Sequence, residues 1–280
     1  MLYRRDKDRL TVSQQENSEM LFRAAREGDL GRMKRILHDD MVGIADFQFI
    51  KTDVVLSTTL TAFLNACAQE EYDGRDIGRQ ALEGTVLLVE HGANIMATVH
   101  LKSNAIESAV RKDKLDVANY LITTVSPLSG ATLNNIIFCC DSAEMLQLLI
   151  VYGADIKSRD DDGATILMKN NTNENRQRDI RRLALRSGVD VNAECRGGTT
   201  ALHEAAVYGD LPSVMDLCKA GASLDVKDKK GNTPLETAIL WHRQHWEMRD
   251  GREPPHVSFS GTVQFLREEA LRRALRRNGI

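Results

Sequence analysis

An all-α solenoid of about six to seven helix–turn–helix units, closed at each end by capping helices, is the fold the sequence predicts. Three observations predict it. Short segments carrying small residues, Ala24-Ala25, Ala66-Cys67 and Ala205-Ala206, are each followed by a second segment with apolar residues at helical spacing. These pairs recur with a period of roughly 33 residues. Thr165, Thr200 and Thr233 then stand in register, each two residues after a glycine.

The most complete unit runs from Gly198 through Thr199-Thr200-Ala201-Leu202-His203-Glu204-Ala205-Ala206-Val207-Tyr208-Gly209-Asp210-Leu211 and closes at Gly221-Ala222. Thr200 is a good N-cap for the helix after it. Ala205 and Ala206 are small enough to let a second helix pack close, and Gly209 ends the first helix. Leu211, Val214, Leu217 and Cys218 recur at three- and four-residue spacing, which makes one apolar stripe on the second helix. Gly221 supplies a left-handed cap at its end.

This unit resembles the ankyrin repeat, whose pattern is G-x-T-P-L-H-x-A-A-x-x-G, a second apolar helix, and G-A-[DN]. Copies in register follow at Asp162-Gly163-Ala164-Thr165-Ile166-Leu167 and at Gly231-Asn232-Thr233-Pro234-Leu235-Glu236-Thr237-Ala238. Gly130-Ala131-Thr132 opens another, closed by Gly153-Ala154-Asp155, and Asn104-Ala105-Ile106 opens one more. Thr61 to Cys67 begins a unit that ends at His91-Gly92-Ala93-Asn94, with an insertion around Glu70 to Arg79 between its helices. Leu21 to Leu37 is expected as an N-terminal capping unit without a hairpin. The expected organisation is a frayed or disordered segment 1–17, then units 18–50, 51–98, 99–128, 129–160, 161–194 and 195–227, and an extended C-terminal cap 228–280.

Two departures from the pattern stand out. The Thr-x-x-His pair is complete only at Thr200 and His203, and Asn170 and Asn171 occupy places meant for small apolar residues. The last inner helix lacks its terminating turn and is expected to continue through Trp241 and Trp246, before a loop holding Gly251, Pro254 and Pro255. A final helix of roughly Gly261 to Asn278 presents Val263, Leu266, Ala270, Leu271, Ala274 and Leu275 on one face. Its other face carries Arg267, Arg272, Arg273, Arg276 and Arg277, as the polar outer surface of a solenoid cap requires.

Bulk composition bounds the function. Among 280 residues, 42% are hydrophobic and 28% charged, as in an ordinary folded chain, and the formal charge of −3 calls for no nucleic-acid or acidic-membrane partner. The five cysteines are scattered with no C-x-x-C spacing, so neither a disulfide framework nor a zinc site is expected. A charged N-terminus and the lack of any long apolar run argue against a signal peptide or a membrane span. A monomeric protein of the cytoplasm or nucleus, without metal or cofactor, is the expectation.

The resemblance implies a concave surface formed by hairpin tips and inner helices, where partners of such stacks dock. Inner-helix positions on that surface fall on Arg26, Glu27, Gln69, Arg111, Lys112, Cys139, Cys140, Asn173, Tyr208 and Trp241. Hairpin tips fall on Asp161, Asp162, Arg196, Lys229 and Lys230. Tyr208 and Trp241 occupy equivalent places in consecutive units and, as aromatics, are the leading anchors for a partner. Of this set, Arg111, Lys112, Cys140, Asp161, Asp162, Asn173, Arg196, Tyr208, Lys229, Lys230 and Trp241 are the candidate partner-binding residues.

Signals for chemistry are weaker. His242 and His245 are three apart, yet no third metal ligand follows at a matching spacing. Cys139 and Cys140 have no base beside them in the sequence, and His203 fits a structural partner of Thr200 better than a general base. There is no phosphate loop, G-x-S-x-G or H-E-x-x-H motif. The leading reading is a non-catalytic module that binds a peptide or protein surface. The alternatives are an enzyme with a pocket at Asn170, Asn171, Cys139, Cys140, Asp141 and the insertion around Tyr72, and a nucleic-acid binder using the C-terminal arginines.

Overall fold

The computed structural model describes residues 12–37, 48–50, 56–69, 77–91, 93–96, 103–125, 127–169, 174–248 and 259–278. The chain divides into two compact units, one of residues 1–129 with 139–148, the other of residues 130–138 with 149–280.

In the first unit, α1 (Val12–Arg26), α3 (Thr59–Gln69) and α5 (Ala105–Arg111) pack in succession as an inner row. Helices α2 (Leu30–Leu37), α4 (Ile77–Glu90) and α6 (Leu115–Val125) form the outer row. Each inner helix also packs on its own outer partner, so the small residues Ala24, Ala25, Ala105 and Ala109 are buried between rows. The turn between paired helices is the same at both ends of the unit. Asp29 N donates to Ala24 O (2.9 Å) and Lys114 N to Ala109 O (3.0 Å). The residue before each donor has positive φ: Gly28 at 71° and Asp113 at 55°. Asp113 accepts a left-handed conformation that glycine adopts freely, and its carboxylate accepts a hydrogen bond from Ser142 Oγ.

Three details differ from the sequence expectation. Residues 12–17, expected to be frayed, already belong to α1. A short antiparallel pair, β1 (Gln48–Ile50) and β2 (Leu56–Thr58), precedes α3, so the all-helical reading holds apart from one hairpin. The insertion narrows to residues 70–76, outside the described residues, because α4 already begins at Ile77.

The second unit holds α7 (Gly130–Ile136), α9 (Glu174–Arg186), α10 (Ala201–Val207), α11 (Leu211–Lys219), α12 (Pro234–Met248) and α13 (Phe259–Arg277). Helix α8 (Ala143–Val151) crosses the division between the units. Inner helices α10 and α12 are immediate neighbours, and α13 packs against α10, α11 and α12. Where Thr165 was expected to open another inner helix, only a 3-10 turn forms, Ile166–Met168. Asn170 and Asn171 lie outside the described residues. Helix α12 runs 15 residues against 7 for α10, since His242 replaces the glycine that turns the chain at Gly209.

Three hairpins precede the 3-10 turn, α10 and α12, and they repeat bond for bond. Asp160 N donates to Ala164 O (3.0 Å), Cys195 N to Thr199 O (3.0 Å) and Asp228 N to Asn232 O (2.9 Å). Successive tips are then joined: Arg196 N donates to Asp162 O (2.7 Å) and Lys229 N to Gly197 O (3.0 Å). Gly198 permits this approach. Its φ is 72°, and a Cβ there would meet the backbone of Asp228 and Lys229 at 3.1 to 3.3 Å.

Candidate functional site

The network at Thr200 sets the geometry of the second unit's inner row. Buried His203 accepts at Nδ1 from Thr200 N (3.2 Å), pairs there with Thr200 Oγ1 (2.9 Å), and donates from Nε2 to Asn232 O (3.1 Å) of the next hairpin. One side chain thus ties a helix start to the neighbouring repeat. Glu236 holds the matching place in that repeat, where Thr233 N (2.7 Å) and Thr233 Oγ1 (2.9 Å) both donate to its carboxylate in a capping box. The backbone hydrogen bond from Thr233 holds the Glu236 carboxyl below the ordinary range, and the Thr233 hydroxyl adds to it.

With the inner helices so fixed, Tyr208, just past the end of α10, and Trp241, midway along the longer α12, stand at equivalent repeat positions and are 48% and 39% exposed. Leu240, at the place held by Val207 one repeat earlier, is 47% exposed. At the hairpin tips Arg196, Lys229 and Lys230 are exposed, as is Lys227. The carboxylate of Asp228 is turned inward: Oδ1 accepts from Lys230 N (2.9 Å) and Asn232 N (2.9 Å). Desolvation opposes ionisation of Asp228, but those backbone donors, with His203 nearby, outweigh it and hold its carboxyl low. Asp161 and Asp162 are exposed at the tip of the hairpin before.

In the first unit, Arg111 and Lys112 are exposed at the end of α5, and Arg111 Nη2 lies 3.8 Å from Cys139 Sγ. Cys140 is a correction to the expected surface, being 0% exposed. The α7 segment passes into a 3-10 turn over Ile137–Cys139, and that change of pitch turns Cys139 outward and Cys140 into the core. Asn173 and the side chains of His242 and His245 lie outside the described residues.

Sequence reasoning missed Arg181, which it left within a run of arginines. Its side chain is 5% exposed and Nη2 lies 3.5 Å from Asp210 Oδ2. Burial pulls the guanidinium below its ordinary value, with Asp210 and Asp216 opposing. Asp210 also caps α11, accepting from Ser213 N (3.0 Å) and from Ser213 Oγ. Beside this pair lies a cavity of about 10 Å³, lined in part by Lys169, Glu204 and Leu217, which is room for one water.

The C-terminal arginines are largely committed to the fold. Arg273 donates to Ala222 O (2.7 Å) and Cys218 O (3.0 Å), satisfying carbonyls at the end of α11, and is held by Glu269 (3.0 Å). Arg272 pairs with Glu268 and Glu269, and Arg277 with Asp225. The expected apolar face of this helix is only partly covered: Leu266 is buried, whereas Leu271 is 61% exposed. Among the described residues, no helix is long and apolar enough to cross a membrane.

Comparison with known proteins agrees with this architecture. A family model of ankyrin repeats matches residues 135–228 and 172–248. The mouse B-cell lymphoma 3 protein homolog is 33% identical over 125 residues, 44% of this chain and 26% of that protein. The human B-cell lymphoma 3 protein is 30% identical over 162 residues, 54% of this chain and 35% of that protein. This chain therefore spans between about a quarter and a third of the length of the curated relatives it matches. Among solved structures, the ankyrin repeat domain of Bcl-3, a member of the IkappaB protein family, superposes with a TM-score of 0.55 at 24% identity, covering 78% of this chain and 92% of that one. The human ASB11 ankyrin repeat domain superposes with a TM-score of 0.61 at 17% identity, covering 88% of this chain and 96% of that one. Both likenesses show the fold. Repeats of this kind are protein-interaction modules, and residues 135–248 of this chain match the ankyrin repeat.

Proposed function

We propose that the protein is a non-catalytic interaction module that holds a peptide or protein surface against the inner helices and hairpin tips of its second unit. The observation that carries this reading is the pair Tyr208 and Trp241, register-equivalent on neighbouring inner helices, and both substantially exposed. Exposed aromatics in a row offer large contact area at low entropic cost, which is how a few residues come to dominate binding. Asp161, Asp162, Arg196, Lys229 and Lys230 supply a polar rim. Exposed Arg111 and Lys112, with half-buried Cys139 beside Arg111, make a smaller cluster in the first unit. An intracellular monomer is part of the same reading, supported by five free cysteines.

The test uses peptides selected from a random phage-displayed library on the full chain. Tyr208→Ala and Trp241→Ala are each expected to weaken the best selected peptides roughly tenfold or more, with an unchanged far-UV circular dichroism spectrum. Undiminished binding in both variants would remove the case for this surface.

A further inference from the structure

We infer that the partner of this surface is an acidic peptide segment in which carboxylates alternate with aliphatic or aromatic side chains. The inference rests on the proposed binding surface and specifies its ligand. Arg196, Lys227, Lys229 and Lys230 are exposed on two successive hairpins, and among the described residues none of these four makes a side-chain hydrogen bond or ion pair. Lys229 and Lys230 enter the fold only through their backbone N–H groups. The Asp228 carboxylate is turned inward onto the N–H groups of Lys230 and Asn232, and Glu236 accepts from Thr233; both keep their charge, and Glu194 and Asp225 are exposed on the same two hairpins.

This contrasts with the arginines of α13, where Arg272, Arg273 and Arg277 have carboxylate partners. The chain as a whole is slightly acidic, and exposed Asp161 and Asp162 stand on the preceding hairpin, so four basic side chains without ion-pair partners on the last two tips are a local feature and not a consequence of bulk charge. Tyr208, Leu240 and Trp241 follow on the inner helices behind those tips, in the same register. Exposed Leu240 beside Trp241 favours a protein ligand over a nucleic acid, because an aliphatic side chain offers a base neither stacking nor a hydrogen bond. A partner meeting both features needs acids for the rim and apolar groups for the helices.

Selection of random phage-displayed peptides on the full chain reads this directly. The expected result is a set of net-negative sequences with Asp or Glu interleaved among Leu, Phe or Trp. Binding of the best peptide should fall roughly tenfold or more when Lys229→Glu and Lys230→Glu are combined, and should weaken as salt rises. Salt dependence on the unmutated chain keeps the test decisive should the double variant misfold. Neutral or basic selected peptides, or binding indifferent to both salt and charge reversal, overturn the acidic-partner inference. If such peptides still lose affinity in Tyr208→Ala and Trp241→Ala, the binding surface stands without it. Displacement of the peptide by single-stranded polyuridylate at comparable concentration overturns it as well, by assigning the rim to phosphates.

Discussion

Replacing His203 with alanine isolates what holds consecutive repeats in register. The imidazole has no exposed surface, and its removal leaves Thr200 N–H, Thr200 Oγ1 and the Asn232 carbonyl each without the partner seen here. An orphaned buried polar group costs about 1 kcal/mol or more, so the three together with the small void predict a loss of about 3 kcal/mol. That is a large part of the stability of an ordinary domain, about 5 to 15 kcal/mol. Urea unfolding of the full chain, followed by circular dichroism, measures it as a lowered midpoint in the transition of the second unit. His203→Gln, whose amide oxygen can still accept from Thr200 N, should recover part of the loss. A His203→Leu chain as stable as the parent would refute the reasoning, since it would show that the void matters and the hydrogen bonds do not.

Three further outcomes follow. The Glu236 carboxyl is held low in the folded chain, so its stabilising contribution is present above the unfolded carboxyl value of about 4.3 and is lost as pH falls through the folded one. The gap in thermal midpoint between the parent and Glu236→Gln should therefore close on acidification, and a gap constant down to about pH 3 would contradict this. A Cβ added at Gly84 in α4 would overlap the buried Phe63 ring in α3, so Gly84→Ala should cost about 1 to 3 kcal/mol in urea unfolding, with partial recovery in Gly84→Ala combined with Phe63→Leu. Burial pushes the Cys218 thiol up to about 11, against an opposing pull from Arg273. Iodoacetamide at about pH 8 should label Cys139 and Cys195 well before Cys218, as read by peptide mass spectrometry; Cys218 modified first would contradict its burial.

Much of the fold was legible because the same local chemistry repeats at fixed offsets. A glycine with positive φ at the hairpin, a threonine two residues on, and a small residue in the helix, Ala205 and Ala238, identify the units at Thr200 and Thr233, and the pairing of α10 with α12 follows. The equivalence of Tyr208 and Trp241 came from the same count. Where the helix pitch changes, counting fails: after the 3-10 turn at Ile137–Cys139, Cys140 is buried where a surface position was counted, and the turn at Ile166–Met168 stands where an inner helix was expected. Charge likewise misleads once a long side chain reaches inward. Arg181 sits among exposed arginines in the sequence, yet it folds onto Asp210 beneath the irregular repeat. The opposite error occurs at Leu271, counted on the apolar face of α13 but five residues, about 140°, round the helix from buried Leu266, and so 61% exposed.

Hydrogen–deuterium exchange of the full chain, alone and with a peptide selected on it, tests the claimed binding surface most directly. Slowed exchange within residues 194–210 and 227–243, the hairpin tips and inner helices of the last two repeats, is the predicted result. Protection confined to the outer helix α11 and to α13 would contradict it.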